Sequence, residues 1–298
     1  MQSHDRPMFA LALRLVATII FSVMLLLVKL TGERGISLPE TLFWRQFIPA
    51  ISIFGWLLAR GQIGRLKTKR PWVHARRAAI GGSGMFLTLG VVRLLPLAES
   101  TILAFTTPMF AVILSVIILK EKVGVWRWSA VIAGLVGVVI IAGPDSGNLP
   151  LEGLAVGIGA AFMVSLVNVQ LRDLGKTEEP VTVVFYFSAI SAPFLSLFLL
   201  SSGAQHDLTG WLMLGGIGIT GLFAQLALTA SLRYGAISSV IVVDYIQLAW
   251  ATAWGWLIFN QLPPATTWLG APIIIGASLL IIWRERVLGK ARAADISS

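Results

Sequence analysis

Apolar runs of about 20 residues, separated by short charged or Gly- and Pro-containing segments, recur along almost the whole chain, and this limits its possible folds more than any other feature. A run of that length is what an α-helix needs to cross a hydrocarbon layer about 30 Å thick. In lipid, a spanning segment must satisfy its own backbone N–H and C=O groups, so these runs are expected to be bundled helices. Reading between the interruptions gives helices near 8–31, 38–60, 73–93, 97–119 and 125–142, then 150–171, 181–201, 209–232, 237–259 and 265–283. The chain is expected to be an all-α polytopic membrane protein with ten transmembrane helices. Short connections make successive helices antiparallel neighbours and leave no stretch for a soluble domain. The first run, Met8 to Leu30, is longer than a signal-peptide core and no small-residue cleavage pattern follows it, so it is expected to stay as a helix.

Composition narrows the function. The chain is 56% hydrophobic and only 12% charged, with a mean hydropathy of +0.84, which is far from the balance of a soluble domain. A net charge of +9 could suggest nucleic acid, but the basic residues sit in short segments between apolar runs, where they act as orientation signals, so nucleic acid is rejected as a partner. The chain has no cysteine, which excludes disulfides and thiolate chemistry. His4, His74 and His206 fall in expected loops, so no metal site or other cofactor is expected. With no "HExxH", "GxSxG" or Asp-rich diphosphate motif, enzymatic activity is not expected either.

The two halves echo each other in order. "FSVMLLLVKL" from Phe21 matches "FMVSLVNVQL" from Phe162, and the same offset places Pro39 on Pro180. "GGSG" from Gly81 answers "GGIG" from Gly215, and "LAEST" from Leu97 answers "GAISS" from Gly235. Five helices per repeat is an odd number, so the second repeat must enter the membrane from the other side. The expected units are residues 8–142 and 150–283, inverted with respect to one another, with a basic cytoplasmic tail at 284–298. Charge tests this independently: "RGQIGRLKTKRPWVHARR" from Arg60 carries seven Lys or Arg, while its counterpart "SSGAQHDL" from Ser201 carries none. With both termini cytoplasmic, 18 of the 23 basic residues fall on the cytoplasmic side and three, Lys29, Arg34 and Arg93, on the outer side. Inverted repeats are a common architecture of secondary transporters, with the substrate site near the midplane between them.

Several stretches together resemble the drug/metabolite transporter superfamily in its EamA-type branch. They are "LFWRQFIPA" from Leu42, "LAESTILAFTTPMFAVILSVIILKEK" from Leu97, and "DYIQLAWATAWGWLIFNQLPP" from Asp244 with "WLGAPIIIGASLLIIWRER" from Trp268. Within that branch the chain looks most like YddG-like bacterial exporters of amino acids and related metabolites. The resemblance implies a multi-pass protein of the bacterial inner membrane that exports a small metabolite by alternating access. Gln261 stands where the second repeat of such proteins usually has a glutamate.

Polar residues inside apolar runs are the candidate site. Asp244 is the most costly of them, since an ionised carboxylate at membrane depth should persist only for a reason. Helical spacing gathers Ser239, Asp244 and Gln247 on one face of the ninth helix, beside Tyr245. Gln225, Asn168 and Thr101 add polar groups from other helices, and Phe86, Phe105 and Trp254 supply apolar walls for an amino-acid-sized substrate. Asp244 is expected to contact either the substrate amine or a coupling proton. Pro108 should kink the fourth helix and Arg45 is a candidate for gating, tied to backbone carbonyls or to Glu40 or Glu99. Arg14 is expected to snorkel to the surface and Lys29 to anchor the outer end of its helix. Alternative readings are a channel, or a carrier of a different metabolite or drug class; monomer and homodimer are both compatible with the sequence.

Overall fold

The computed structural model describes residues 7–119, 123–142, 149–175, 177–202, 205–234 and 241–297, and every regular element among them is helical. The helices are α1 (Pro7–Glu33), α2 (Leu38–Ala59), α3 (Pro71–Leu94), α4 (Leu97–Ala104), α5 (Thr107–Leu119), α6 (Val125–Ile141), α7 (Leu151–Leu174), α8 (Pro180–Ser202), α9 (Leu208–Tyr234), α10 (Ile246–Phe259) and α11 (Ala265–Ser297). Short 3-10 turns lie at Ile63–Leu66 and Ile241–Tyr245. Among the described residues, seven segments are long and apolar enough to cross a membrane, one of them Leu97–Ile117 spanning α4 and α5 together, and α6 is a shorter apolar helix. The protein is a polytopic helical membrane protein.

Local chemistry explains where the helices start and stop. Ser37 caps α2 by accepting from the Glu40 backbone N–H at 3.3 Å, and Pro39 sits in the first turn, where a missing N–H costs nothing. Pro180 opens α8 in the same way. Asn260, in the left-handed region at φ 51°, ends α10. The fourth run, expected as one kinked helix, is instead broken at Phe105–Thr106. There the Phe105 and Thr106 N–H groups bond to Ile102 and Leu103 carbonyls at 3.0 and 3.1 Å, the tighter i−3 pattern. Pro108 has no N–H for the Ala104 carbonyl, and the Thr107 hydroxyl takes that acceptor at 2.7 Å.

Three further expectations are corrected. Residues 237–240 of the ninth run lie outside the described residues, and the described part begins with the 3-10 turn Ile241–Tyr245 that carries Asp244, not with α-helix. The last helix does not stop at residue 283 but continues to Ser297 through the basic segment. His74 is not in a loop: it lies buried in the first turn of α3.

The largest interfaces pair α1 with α9, α6 with α11, α2 with α8 and α3 with α7, followed by α2 with α9, α3 with α8 and α4 with α10. Met24, Leu42, Leu89, Ile102, Leu103, Met109 and Ile141 fill the centre, while Ile117, Val139, Leu197, Leu200 and Leu257 point outward, as a lipid-facing perimeter requires. Lipid gives apolar surfaces no reason to leave it, so close packing of small residues must hold the helices together. The α6–α11 contact is an example: a Cβ on Gly137 would lie 2.7 Å from Ile274 Cγ1 and 3.0 Å from the Gly270 carbonyl. Polar contacts close the two ends of the bundle. At one end Arg65 binds Glu179 at 3.0 and 2.5 Å and Arg70 binds Asp173 at 2.5 Å; at the other, His206 meets Glu40 at 2.8 Å and Arg34 meets Asp207 at 3.3 Å.

Candidate functional site

The Asp244 side chain is held by α1. Arg14 grips it with two parallel hydrogen bonds, Nε to Oδ1 at 2.6 Å and Nη2 to Oδ2 at 2.5 Å, so the planar guanidinium matches the planar carboxylate. The Arg14 side chain is 8% exposed and that of Asp244 28%. Arg14 therefore does not snorkel. It bridges residues 230 apart in sequence, because a carboxylate within reach offers a charged fork more than a climb to the surface would.

The same face of α1 follows α10 along its length. Arg14, Thr18 and Ser22 recur every fourth residue, the Ser22 hydroxyl accepts from Trp254 Nε1 at 3.2 Å, and the Lys29 ammonium stands 5.5 Å from the centre of the Phe259 ring. Lys29 also donates to the Leu95 carbonyl at 2.8 Å, satisfying the end of α3, so it is a buried cap and not a surface anchor. Across from α1, the Tyr245 ring lies 4.7 Å from the Phe105 ring beside the α4–α5 break, and the Ser278 hydroxyl of α11 donates to the Phe105 carbonyl at 2.6 Å. Asp244, Tyr245 and Phe105 thus meet at the 3-10 turn and the interrupted fourth run, while Trp254 meets the same face of α1 further along α10.

The other candidates are distributed differently. Gln247 is half-buried on α10. Thr101 is buried and its hydroxyl bonds back to the Leu97 carbonyl at 2.8 Å, as does that of Ser100 at 2.9 Å, while the Thr106 and Thr107 hydroxyls reach back across the break to the Leu103 and Ala104 carbonyls of α4. Phe86 and Asn168 are exposed. Ser239 lies outside the described residues. Pro108 is the second residue of α5, directly after the break.

Arg45 and Gln225 belong to a second polar cluster on α2, α3, α8 and α9. Arg45 does not reach Glu40 or Glu99: Glu40 meets His206, and Glu99 accepts from the Thr267 hydroxyl at 3.1 Å. Its contacts are instead the Met24 sulfur at 3.4 Å, the Met85 sulfur at 2.5 Å and Gln46 Oε1 at 3.3 Å, all neutral acceptors. Arg77 of α3, which the sequence reading counted only as part of a basic run, is also buried here. Its guanidinium lies 4.3 Å from the centre of the Phe187 ring, which also lines the cleft beside Arg45. The cleft between Arg45, Gln46, Pro49, Ser188 and Gln225 holds about 10 Å³. A larger groove of about 590 Å³ between α2 and α8 is apolar, lined by Phe43, Phe47, Phe54 and Phe185 on the lipid-facing side, and offers no polar group to orient a metabolite except Ser196.

Comparison with known proteins agrees with this architecture. The profile of the EamA-like transporter family matches residues 8–143 and 151–283. A riboflavin transporter of Vibrio cholerae is 31% identical over 230 residues, covering 76% of this chain and 77% of that protein. The pseudopaline exporter CntI of Pseudomonas aeruginosa is 28% identical, covering 90% and 94%, and an S-adenosylmethionine uptake transporter of Rickettsia bellii is 27% identical, covering 83% and 84%. A solved crystal structure superposes with a TM-score of 0.65 at 19% identity over 95% of this chain and 99% of that one, a likeness of fold. With the family profile covering nearly the whole polytopic bundle, this chain belongs to the EamA-like transporter family, within the drug/metabolite transporter superfamily.

Proposed function

We propose that the protein exports amino acids or related small zwitterionic metabolites across the bacterial inner membrane, by alternating access between two inverted five-helix repeats, 8–142 and 150–283. The observation that carries this reading is the Arg14–Asp244 clasp. It presents a guanidinium and a carboxylate side by side at the α1–α10 interface, the complement of a zwitterion's carboxylate and ammonium. A substrate that exchanges its own charges for those of the clasp releases α1 from the 3-10 turn without leaving either ion unpaired, which at this partly exposed pair would otherwise cost about 2–3 kcal/mol. A proton arriving at Asp244 would loosen the clasp by the same logic, so substrate and proton compete for one carboxylate.

The repeat arrangement is supported by two observations. One family profile matches each half of the chain. The helix pairing also maps onto itself when each crossing is exchanged with the one five further on: α1–α9 becomes α7–α3, and α2–α8, α6–α11 and α4–α10 each exchange within themselves. Outward direction follows the YddG-like resemblance and the similarity to the pseudopaline exporter over most of both chains. A second reading, carriage of a different metabolite class, is favoured by the relatives named for riboflavin and S-adenosylmethionine.

Counterflow in liposomes against a panel of amino acids, riboflavin and other metabolites tests the proposal. Saturable exchange of an amino acid is expected, with Asp244→Asn losing pH dependence while keeping residual flux if the carboxylate couples a proton, or losing flux if it binds the amine. Wild-type transport by Asp244→Asn removes any role for the clasp, and no exchange of any amino acid overturns the substrate assignment.

A further inference from the structure

Arg45 and Arg77 are the least explained charges in the bundle. They start from opposite ends, Arg45 seven residues into α2 and Arg77 six residues into the antiparallel α3, each about 10 Å along its helix. Arg45 is 8% exposed and Arg77 3%. Among the described residues neither forms an ion pair, and Arg77 Nε and Nη1 are buried with no hydrogen-bond partner. Burying one guanidinium without an anion costs several kcal/mol, and two placed near each other add repulsion.

Local geometry holds them inward. A side chain on a helix usually leans toward the N-terminus, which for Arg77 would carry it to the nearby end of the bundle. Its guanidinium instead runs the other way, over Gly81 one turn further in: a Cβ on Gly81 would overlap Arg77 Nη1 and lie 2.9 Å from Phe187 Cε2. The first glycine of "GGSG" is thus the groove that keeps Arg77 aimed at the interior. Phe187 stacks beneath it at 4.3 Å, and Gly221 of α9 makes equivalent room for Arg45, whose Cγ would be 3.3 Å from an added Cβ. Around the cleft stand only neutral polar groups, Gln46, Ser188 and Gln225, which can donate to an anion and cannot neutralise the arginines.

We propose that Arg45 and Arg77 form a buried oxyanion site, for a carboxylate or phosphate group, between α2, α3, α8 and α9 and separate from the Arg14–Asp244 clasp. Two forks of N–H donors suit a planar carboxylate or a phosphate better than a spherical halide. The cleft as it stands has room for about one water, so the anion enters when α2 and α8 part. Pro49 prepares that movement. It lacks the N–H that would bond to the Arg45 carbonyl, so α2 is weakened at the arginine itself.

The test is thermal unfolding of the purified protein in detergent, followed by tryptophan fluorescence, at constant ionic strength with sodium chloride replaced by sodium acetate or sodium phosphate. The wild type is expected to gain about 2–4 °C in acetate or phosphate. Arg77→Gln and Arg45→Gln are expected to unfold at or above the wild-type temperature in chloride, since each removes an unpaired charge, and to show no gain with either oxyanion. Gly81→Ala, which displaces the Arg77 fork and leaves its charge, is expected to lose at least half of the gain. Equal wild-type temperatures in all three salts, or an undiminished gain in Arg77→Gln, overturn the proposal. A liposome arm separates the sources of the anion. Phosphate or acetate raising KM for the carried metabolite without changing kcat assigns the site to that metabolite's acid group, and unaltered flux assigns it to a free anion. The unfolding arm needs no flux, so it stands or falls independently of the transport reading above.

Discussion

Asp244 illustrates how a single charge becomes affordable inside a bilayer. The bidentate bonds from Arg14 at 2.6 and 2.5 Å engage both carboxylate oxygens, and the Asp244 side chain remains 28% exposed. Removing either partner alone strands the other. We therefore expect Arg14→Leu or Asp244→Asn to destabilise by about 2–3 kcal/mol, below the ~3–5 of a fully buried pair because Asp244 is partly exposed. The double variant Arg14→Leu/Asp244→Leu should recover most of that loss, a coupling that a thermal-unfolding double-mutant cycle would measure. Sequence alone marks Asp244 as costly, because a carboxylate in an apolar run stands out. It does not reveal Arg14 as the partner: Arg14 lies close enough to the start of α1 to be explained by snorkelling, and the pairing depends on the packing of segments 230 residues apart. Arg77 is hidden for the opposite reason. Among seven basic residues between Arg60 and Arg77, the one that turns inward over Gly81 is distinguished only by what lies one turn further on.

At the scale of elements, run length and capping residues determine most of the helices, and their ends lie within three residues of the apolar boundaries except in α10, which begins at Ile246 after the 3-10 turn, and in α11. What a run cannot show is where its helix changes type. The α4–α5 break follows from Pro108 and the hydroxyl of Thr107, and the 3-10 turn at Ile241–Tyr245 has no comparable signal in its residues. Two elements give direct tests. Gly137 of α6 lies against the backbone of α11, so Gly137→Leu should destabilise by about 1–3 kcal/mol or more, because the obstacle includes the Gly270 carbonyl and not only a movable side chain. Unfolding temperature in detergent checks it, with Val139→Leu at the exposed perimeter as a neutral control. The start of α9 depends on Asp207, whose Oδ1 accepts from the Gly210 N–H at 2.8 Å. That hydrogen bond, helped by Arg34, holds the exposed carboxyl below its ordinary value of 3.8. A lowered folded-state value means the cap contributes fully above pH 3.8 and is lost as pH falls through the folded value. Asp207→Ala should therefore lower the unfolding temperature at pH 7, and the gap to wild type should shrink as both are titrated toward pH 3.

At the scale of the molecule, the decisive property is the relation between the two halves. The expected repeat has an odd number of crossings, so equivalent connections must emerge on opposite sides of the membrane, whatever their own sequences prefer. Basic residues agree with this, being dense between α2 and α3 and absent from Ser201 to Leu208 between α8 and α9. The polar contacts agree as well, since the 62–70 segment binds the 173–179 segment at one end of the bundle while Asp207 and His206 bind Arg34 and Glu40 at the other. The absence of cysteine makes a clean test possible. Gln62 and Gln205 are both exposed at the connections concerned, so Gln62→Cys and Gln205→Cys each place one thiol in an otherwise thiol-free chain. In intact cells a membrane-impermeant maleimide should label Gln205→Cys and leave Gln62→Cys untouched until the membrane is opened. Labelling of both from the same side would mean an even number of crossings between them. Repeats of five would then be excluded, and with them the proposal of alternating access through the Arg14–Asp244 clasp.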